Sequence, residues 1–460
     1  MIIKRLMNPA QLFIYSFVGL IIIGTLLLKL PISLNQPISV IDALFTATSA
    51  VCVTGLIVVD TATHFTIYGQ FFIMLLIQAG GIGILSFASF FSYFFTGSST
   101  YADQLVFKDF FSTDRLGEVW VLLRRIMIIT FGIELVGALL IYITTYQYSD
   151  EGFFQQAFFS LFHAISSFCN AGFSTLSNGL MEDSVLFNYN FQFVIAVIYI
   201  FGGLGFPIVI NVLKYVKHLI KRIFKLITTR ERAHLPWVVT LNSRVNLITT
   251  GLITLIATAI LYFKEADHVF AEHSTVGKIV IAFATATTPR TAGYNSIDFS
   301  QLQFSSTLLI IFLMWIGASP NSTGGGIKTS SFAVAFLNVT TLIRGADRVE
   351  AFRREIGTKT VQRAFATIFL SLLVIGAAVF AISYFQPELH LLDIVFECFS
   401  AYSTVGLSLG LTAQLSTASK LVLIVTMFIG RVTMLTILIA LIQKMKFTHY
   451  RYASEELTIN

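Results

Sequence analysis

Charge is scarce in this 460-residue sequence: Asp, Glu, Lys and Arg together make up 12% of it, about half of the roughly 25% that soluble domains use. With 55% hydrophobic residues and a mean hydropathy of +0.80, the chain cannot clothe a water-facing surface. That excludes an ordinary soluble protein and leaves lipid as the solvent. Cysteine is nearly absent. Cys52, Cys169 and Cys398 form no Cys-x-x-Cys pair and have no regular spacing to histidine, which excludes a disulfide framework and a zinc site and makes them small packing residues. No Gly-rich phosphate loop with Lys-Ser/Thr and no nucleophile elbow occurs, and His163 has no Cys, Asp or Glu at ligand spacing. The expectation is therefore no enzyme and no covalent cofactor, with any ATP energy entering through a partner. Acid is outnumbered, 24 residues against 30 Lys and Arg, for a net charge of +6. In a membrane protein that excess first marks cytoplasmic loops and gives no reason to expect nucleic acid.

What the sequence has in abundance is apolar runs of about 20 residues, the length that crosses a bilayer as a helix. They cover 12–30, 67–95, 119–146, 191–216, 238–263, 308–343 (interrupted), 361–385 and 421–444. Lys4 and Arg5 precede the first run, but it is longer than a signal-peptide core and no small-residue cleavage site follows, so it reads as a retained helix. Basic residues concentrate after the fourth run, from Lys214 to Arg232, and after the sixth, from Arg344 to Arg363, whereas 147–190 holds none. The positive-inside rule then puts both termini in the cytoplasm of an eight-span, multi-pass cell-membrane protein.

Between each odd run and the next even one lies a related string. Residues 41–56 read IDALFTATSAVCVTGL and 392–407 read LDIVFECFSAYSTVGL, while 158–173 (FFSLFHAISSFCNAGF) and 279–294 (IVIAFATATTPRTAGY) fit the same frame more loosely. Gly55, Gly172, Gly293 and Gly406 are spaced by 117, 121 and 113 residues, so the chain divides into four: 1–96, 119–216, 238–343 and 361–446, with a cytoplasmic tail at 447–460. The expected fold is an all-α integral membrane protein of four parallel helix, pore-loop, helix repeats around a central pseudo-fourfold pore. Each string is too short to span, and irregular backbone at membrane depth is tolerated only where it lines water or is buried in protein. Val53-Thr54-Gly55, Asn170-Ala171-Gly172, Thr291-Ala292-Gly293 and Thr404-Val405-Gly406 would supply a ring of carbonyls able to replace an ion's hydration shell. Glycine is needed where the chain takes positive φ. Asp42 and Asp393 open two of the pore helices, complementing the dipole whose negative end then faces the cavity and favours a cation.

A second repeated feature is glycine inside the even runs: Gly80-Gly81, Gly202-Gly203, Gly317 and Gly430. In the first two repeats close helix packing explains them. In the third, Gly317-Ala318-Ser319-Pro320-Asn321-Ser322-Thr323-Gly324-Gly325-Gly326 and the following Lys328 must interrupt the helix, and 317–328 is the candidate gate. Arg431, mid-span, costs about 2.5–3.5 kcal/mol on the insertion scale and should face inward. It either holds the gate through Asn321, Ser322 or backbone carbonyls, forms a positive barrier below the ring, or pairs with Glu134 or Glu397. Lys328 is either a pore barrier or a snorkelling side chain. Arg290 either buttresses the third pore loop or charges the outer vestibule.

The strings DALFTATSAVCVTGL, FHAISSFCNAGFS, TPRTAGYNS, GIKTSS and FSAYSTVGLSLG resemble the Ktr, Trk and HKT superfamily of potassium transporters, specifically its KtrB-type membrane subunits, over nearly the whole chain. The resemblance matches Gly55, Gly172, Gly293 and Gly406 to the selectivity-filter glycines, 317–328 to the intramembrane gate loop and Arg431 to the arginine of the last helix. Plant relatives with serine in the first filter are sodium-selective, so Gly55 implies potassium. It further implies a homodimer, sodium-stimulated potassium uptake and a cytoplasmic KtrA-type RCK ring that carries the ATP or ADP. Two departures stand out: Pro320 with the Gly324–Gly326 run, and Val432-Thr433-Met434 where a Gly-Pro is expected. The rival readings are a secondary carrier of another cation or solute, with a midplane site between inverted repeats, and a receptor or scaffold. The basic connection 213–237 would bind anionic lipid or a cytoplasmic partner.

Overall fold

The structure is a computed structural model that describes residues 9–83, 118–146, 152–229 and 239–441. The end of the second apolar run, Lys4 and Arg5, the 230–237 part of the basic connection and the 447–460 tail lie outside the described residues. Within them the chain is helical apart from loops and a two-residue hairpin, Glu350–Ala351 against Arg354–Glu355.

Long outer helices alternate with short buried ones. Pro9–Leu28, Glu118–Thr145, Leu241–Glu265 and Thr358–Phe385 begin four successive units. Their outward faces are apolar: Leu26, Ile143, Leu255 and Phe380 are 65%, 68%, 70% and 75% exposed, which suits hydrocarbon and not water. After each comes a short helix: Val40–Val51, Phe153–Phe168, Thr275–Thr287 and Leu391–Ser403. Ser39 caps the first by accepting from the Asp42 N–H at 3.0 Å, and Ser274 caps the third by accepting from Gly277 N–H at 3.1 Å. Asp42 and Asp393 stand in the first turns, as expected.

Each following helix packs on the short helix of the next unit. Ile67–Ile82 meets Phe153–Phe168, Tyr189–Leu204 meets Thr275–Thr287, Phe304–Trp315 meets Leu391–Ser403, and Thr417–Val432 returns to Val40–Val51. The series closes on itself, and at the closure Lys420 Nζ donates to Asp42 Oδ1 at 2.7 Å.

Among the described residues three helices, Leu123–Thr145, Leu241–Glu265 and Thr358–Phe385, are long and apolar enough to cross a membrane, and the pair Tyr189–Leu204 and Phe206–Ile220, bent by 110°, makes a fourth when taken as one span. That bend falls within the fourth apolar run, 191–216, where only the sixth run was expected to be interrupted. Gly205 (φ +84°) breaks the fourth run, Gly83 (φ +87°) ends the helix Ile67–Ile82, and Thr433 (φ +70°) separates Thr417–Val432 from Met434–Leu441. A left-handed residue cannot continue a right-handed helix, and hydropathy does not register its direction. Beyond the bend, Phe206–Thr229 is a continuous helix, so most of the basic connection is helix and not loop.

The inner glycines do pack closely, as expected for the first two repeats. A methyl on Gly80, Gly202 or Gly430 would collide with the carbonyl oxygens of Val51, Phe168 and Tyr402, the matching residues at the ends of three short helices.

Candidate functional site

Where each short helix ends, the chain makes the same turn. Val53, Asn170, Thr291 and Thr404 have φ of +56°, +59°, +74° and +51°, and the glycines two residues later, Gly55, Gly172, Gly293 and Gly406, have +89°, +68°, +73° and +91°. Left-handed residues at alternate positions turn carbonyls that an extended chain would send to opposite sides. Only the glycines were foreseen. Val53 and the two threonines are β-branched residues that rarely adopt this region, so nothing in their identity announces it.

The helices brace these strings. Thr54, Ala171 and Val405 N–H donate to the Ser49, Ser166 and Ser400 carbonyls at 2.8, 2.7 and 2.8 Å. Gly55 and Gly406 N–H donate to the Ser49 and Ser400 hydroxyls, each at 3.1 Å. Ser166 and Thr288 hydroxyls donate to the carbonyls of Phe173 and Tyr294 at 2.7 and 2.9 Å.

The four strings meet in one ring. A methyl on Gly55 would strike Ala171 O, on Gly172 it would lie 3.0 Å from Ala292 O, on Gly293 it would strike Val405 O, and on Gly406 it would strike Thr54 O. Each glycine thus faces the carbonyl just before the next glycine, and the order returns to its start. Val53, Thr54, Asn170, Ala171, Thr291, Ala292, Thr404 and Val405 are all buried. On one side of the ring opens a cavity of about 340 Å³ whose lining includes all four glycines with Asp60 and Asp298, and no basic residue among those described. Such a mouth attracts cations. A larger, apolar groove of about 740 Å³ lies between Tyr189–Leu204 and Leu241–Glu265, and none of the four glycines lines it.

The interrupted segment 317–328 lies against the other side of the ring. Methyls on Gly324 and Gly325 would strike the hydroxyl oxygens of Thr291 and Thr404, and Gly325 N–H donates to Thr404 Oγ1 at 2.9 Å. The Asn170 carboxamide lies 3.2 Å from both Thr291 Oγ1 and Thr323 Oγ1. Ser319 N–H donates to Gly203 O at 2.9 Å, Phe206 N–H to Asn321 O at 3.2 Å, and Thr329 N–H to Ala318 O at 3.2 Å. Ile316 and Ile327 form a parallel bridge across the segment's neck. Pro320 O fills the space beside Gly205, and Gly317 packs on Gly325 and Gly326. Ser322 is half-buried with its hydroxyl unpartnered.

Three basic residues hold this segment. Arg431 donates to the carbonyls of Thr323 and Gly80, and to Gly81 O at 3.5 Å, so its contacts are with backbone carbonyls and not with Glu134 or Glu397. Glu134 instead accepts from Gln78 Nε2 at 2.9 and 3.0 Å, and Glu397 accepts from Ser408 and from Thr412 Oγ1 at 2.8 Å. Arg290 Nη2 donates to Gly317 O at 3.3 Å and Thr329 Oγ1 at 2.8 Å, joining both ends of the segment. It is not among the residues lining the acidic mouth, and its contacts run to the interrupted segment and not along the third pore loop. Lys328 Nζ donates to Gly324 O at 2.7 Å, a loop clasp that neither of its alternatives described. Among the described residues no cluster of His, Cys, Asp or Glu could hold a metal. Cys52, Cys169 and Cys398 are buried and free.

The sequence profile of the TrkH family, a cation transport protein family, matches residues 2–450. The chain belongs to that family. It is a KtrB-type member: it is 37% identical to the Ktr system potassium uptake protein B of Bacillus subtilis, over 98% of this chain and 96% of that one. It is 34% identical to the potassium/sodium uptake protein NtpJ of Enterococcus hirae, over 99% of this chain and 98% of the relative. The crystal structure of the potassium transporter TrkH from Vibrio parahaemolyticus superimposes with a TM-score of 0.70 at 17% identity, covering 95% of this chain and 86% of that one, which shows a shared fold. The TrkH family comprises transporters and not enzymes.

Proposed function

We propose that this chain is the membrane subunit of a potassium uptake system: four parallel helix, pore-loop, helix units around one channel-like pathway. In this reading the strings ending at Gly55, Gly172, Gly293 and Gly406 are the selectivity filter, their carbonyls receive dehydrated potassium, and 317–328 is a gate latched by Arg431. The observation that carries it is the closed ring, in which each of the four glycines abuts the carbonyl before the next. A structural helix turn has no need for four such strings to converge, whereas an ion stripped of water needs carbonyls from all sides. The acidic mouth, with Asp60 and Asp298, supports a cation, and the names of the relatives support potassium.

The same resemblance supports a multi-pass protein of the bacterial cell membrane with both termini cytoplasmic, a homodimer, sodium stimulation and a cytoplasmic KtrA-type RCK ring that binds ATP or ADP. Potassium uptake by cells lacking their own systems tests the cargo. Gly55→Ser should abolish the preference for potassium over sodium, and an unaltered preference would overturn the filter assignment.

A further inference from the structure

Behind two of the four strings the same clamp is built from different chemistry. Ser174 stands two residues after Gly172, and Ser408 two after Gly406. Ser174 Oγ accepts from Leu176 N–H and Ser408 Oγ from Gly410 N–H, each at 3.0 Å, so both hydroxyls are fixed by the same local turn. Each then reaches the pore-helix residue nine before its glycine. Ser408 Oγ donates to Glu397 Oε1, which also accepts from Thr412 Oγ1 at 2.8 Å. Ser174 Oγ lies 2.9 Å from His163 Nε2, while His163 Nδ1 lies 2.9 Å from Phe159 O. A carbonyl only accepts, so Nδ1 carries the ring proton and a neutral ring accepts from Ser174 at Nε2. Glu397 and His163 are both fully buried.

The other two strings lack the device. Their matching positions hold Thr46 with Ile57, and Ala284 with Asn295. Thr46 Oγ1 turns to its own helix, donating to Asp42 O at 2.8 Å, and Asn295 Oδ1 has no partner. In the ring order the clamped strings face each other across the centre, and so do the unclamped ones.

We propose that Glu397 and His163 are positioning residues that pin two opposed filter strings to their pore helices, and that this pinning sets how sharply the ring separates cations. The proposal rests on the filter reading above. A carbonyl cage discriminates between ions of different size only as far as it resists collapsing around the smaller one, and rigidity of that kind comes from the shell behind the contacting atoms. Two fixed strings and two freer ones let an ion enter and leave while the spacing across one diagonal is held.

The test is the potassium-to-sodium flux ratio of the full chain in cells lacking potassium uptake, with expression in the membrane measured alongside. Glu397→Ala and Ser408→Ala should each lower the ratio by about tenfold, the size expected for losing a hydrogen bond to a charged acceptor. The double variant should fall no further than Glu397→Ala alone, since the Ser408–Glu397 contact is already lost in each single variant. Glu397→Gln should stay near the native ratio, because its amide oxygen still accepts both hydroxyls, and Thr46→Ala should not move it. Should Glu397→Ala fail to reach the membrane, Ser408→Ala with Glu397→Gln carries the test. An unchanged ratio in Ser408→Ala, with Gly406→Ser altering it, would overturn the clamp. An unchanged ratio in Gly406→Ser as well would overturn the filter reading instead, and equal losses in Thr46→Ala would reduce the clamp to general helix packing.

Discussion

Arg431 shows how one costly side chain is made tolerable. Its charge would penalise burial by about 2.5–3.5 kcal/mol, and the carbonyls of Thr323, Gly80 and Gly81 offset that by accepting from the guanidinium. One partner lies in the interrupted segment and the others at the end of Ile67–Ile82, so the residue ties that segment to a neighbouring unit. Hydrogen bonds to charged groups contribute about 1.5–3 kcal/mol each, so Arg431→Ala should favour the open arrangement and raise initial potassium uptake by roughly tenfold. The ratio of potassium to sodium should hold, because no filter carbonyl is touched. A rate equal to the native one would contradict the latch. At this scale the sequence was legible where a residue is expensive, as at Arg431. It was illegible where an ordinary residue takes a strained backbone: Val53, Thr291 and Thr404 hold left-handed conformations that cost about 1–3 kcal/mol each and persist only because packing on all sides dictates them.

Among elements, the helix breaks divide by the number of residues that make them. The interruption at 317–328 could be read from the sequence because Pro320 and Gly324–Gly326 together deny helix. The bend at Gly205 could not, because a lone glycine in an apolar run usually means packing, and the hydropathy of Tyr189–Leu204 continues into Phe206–Ile220 without a change. Thr433 stands where the family pattern suggested Gly-Pro, and the break survives with a threonine at φ +70°. A side chain at Gly205 would be strained at φ +84° and would lie 2.5 Å from Pro320 O. Gly205→Ala should therefore destabilise the protein by about 1–2 kcal/mol from the backbone alone, seen as a lower thermal midpoint in detergent. An unshifted midpoint would show that the bend is not enforced there. Gly325→Ala, which would push its methyl into Thr404 Oγ1, should displace the gate from the ring and raise flux. A native rate would show that the loop does not rest there.

For the whole molecule, four glycine strings stand in matching register in the sequence, and in the structure the helices around them pack in a series that closes. The closing contact is between the fourth unit and the first, where Lys420 meets Asp42 at 2.7 Å with both side chains mostly buried. No spacing rule links residues 378 positions apart, so this pair was beyond sequence reasoning. Lys420→Met should cost about 1–3 kcal/mol by leaving Asp42 without its cation, and a thermal midpoint equal to the native one would show that the ring closes by packing alone. The central claim is that the ring of Gly55, Gly172, Gly293 and Gly406 selects potassium. Its most direct test is potassium uptake in a bacterial strain stripped of its own potassium transporters, comparing the native chain, Gly55→Ser and an empty vector, with a cytoplasmic ring subunit co-expressed. The account predicts uptake by the native chain that Gly55→Ser weakens or opens to sodium. Native uptake that Gly55→Ser leaves unchanged in rate and in ion preference would contradict it.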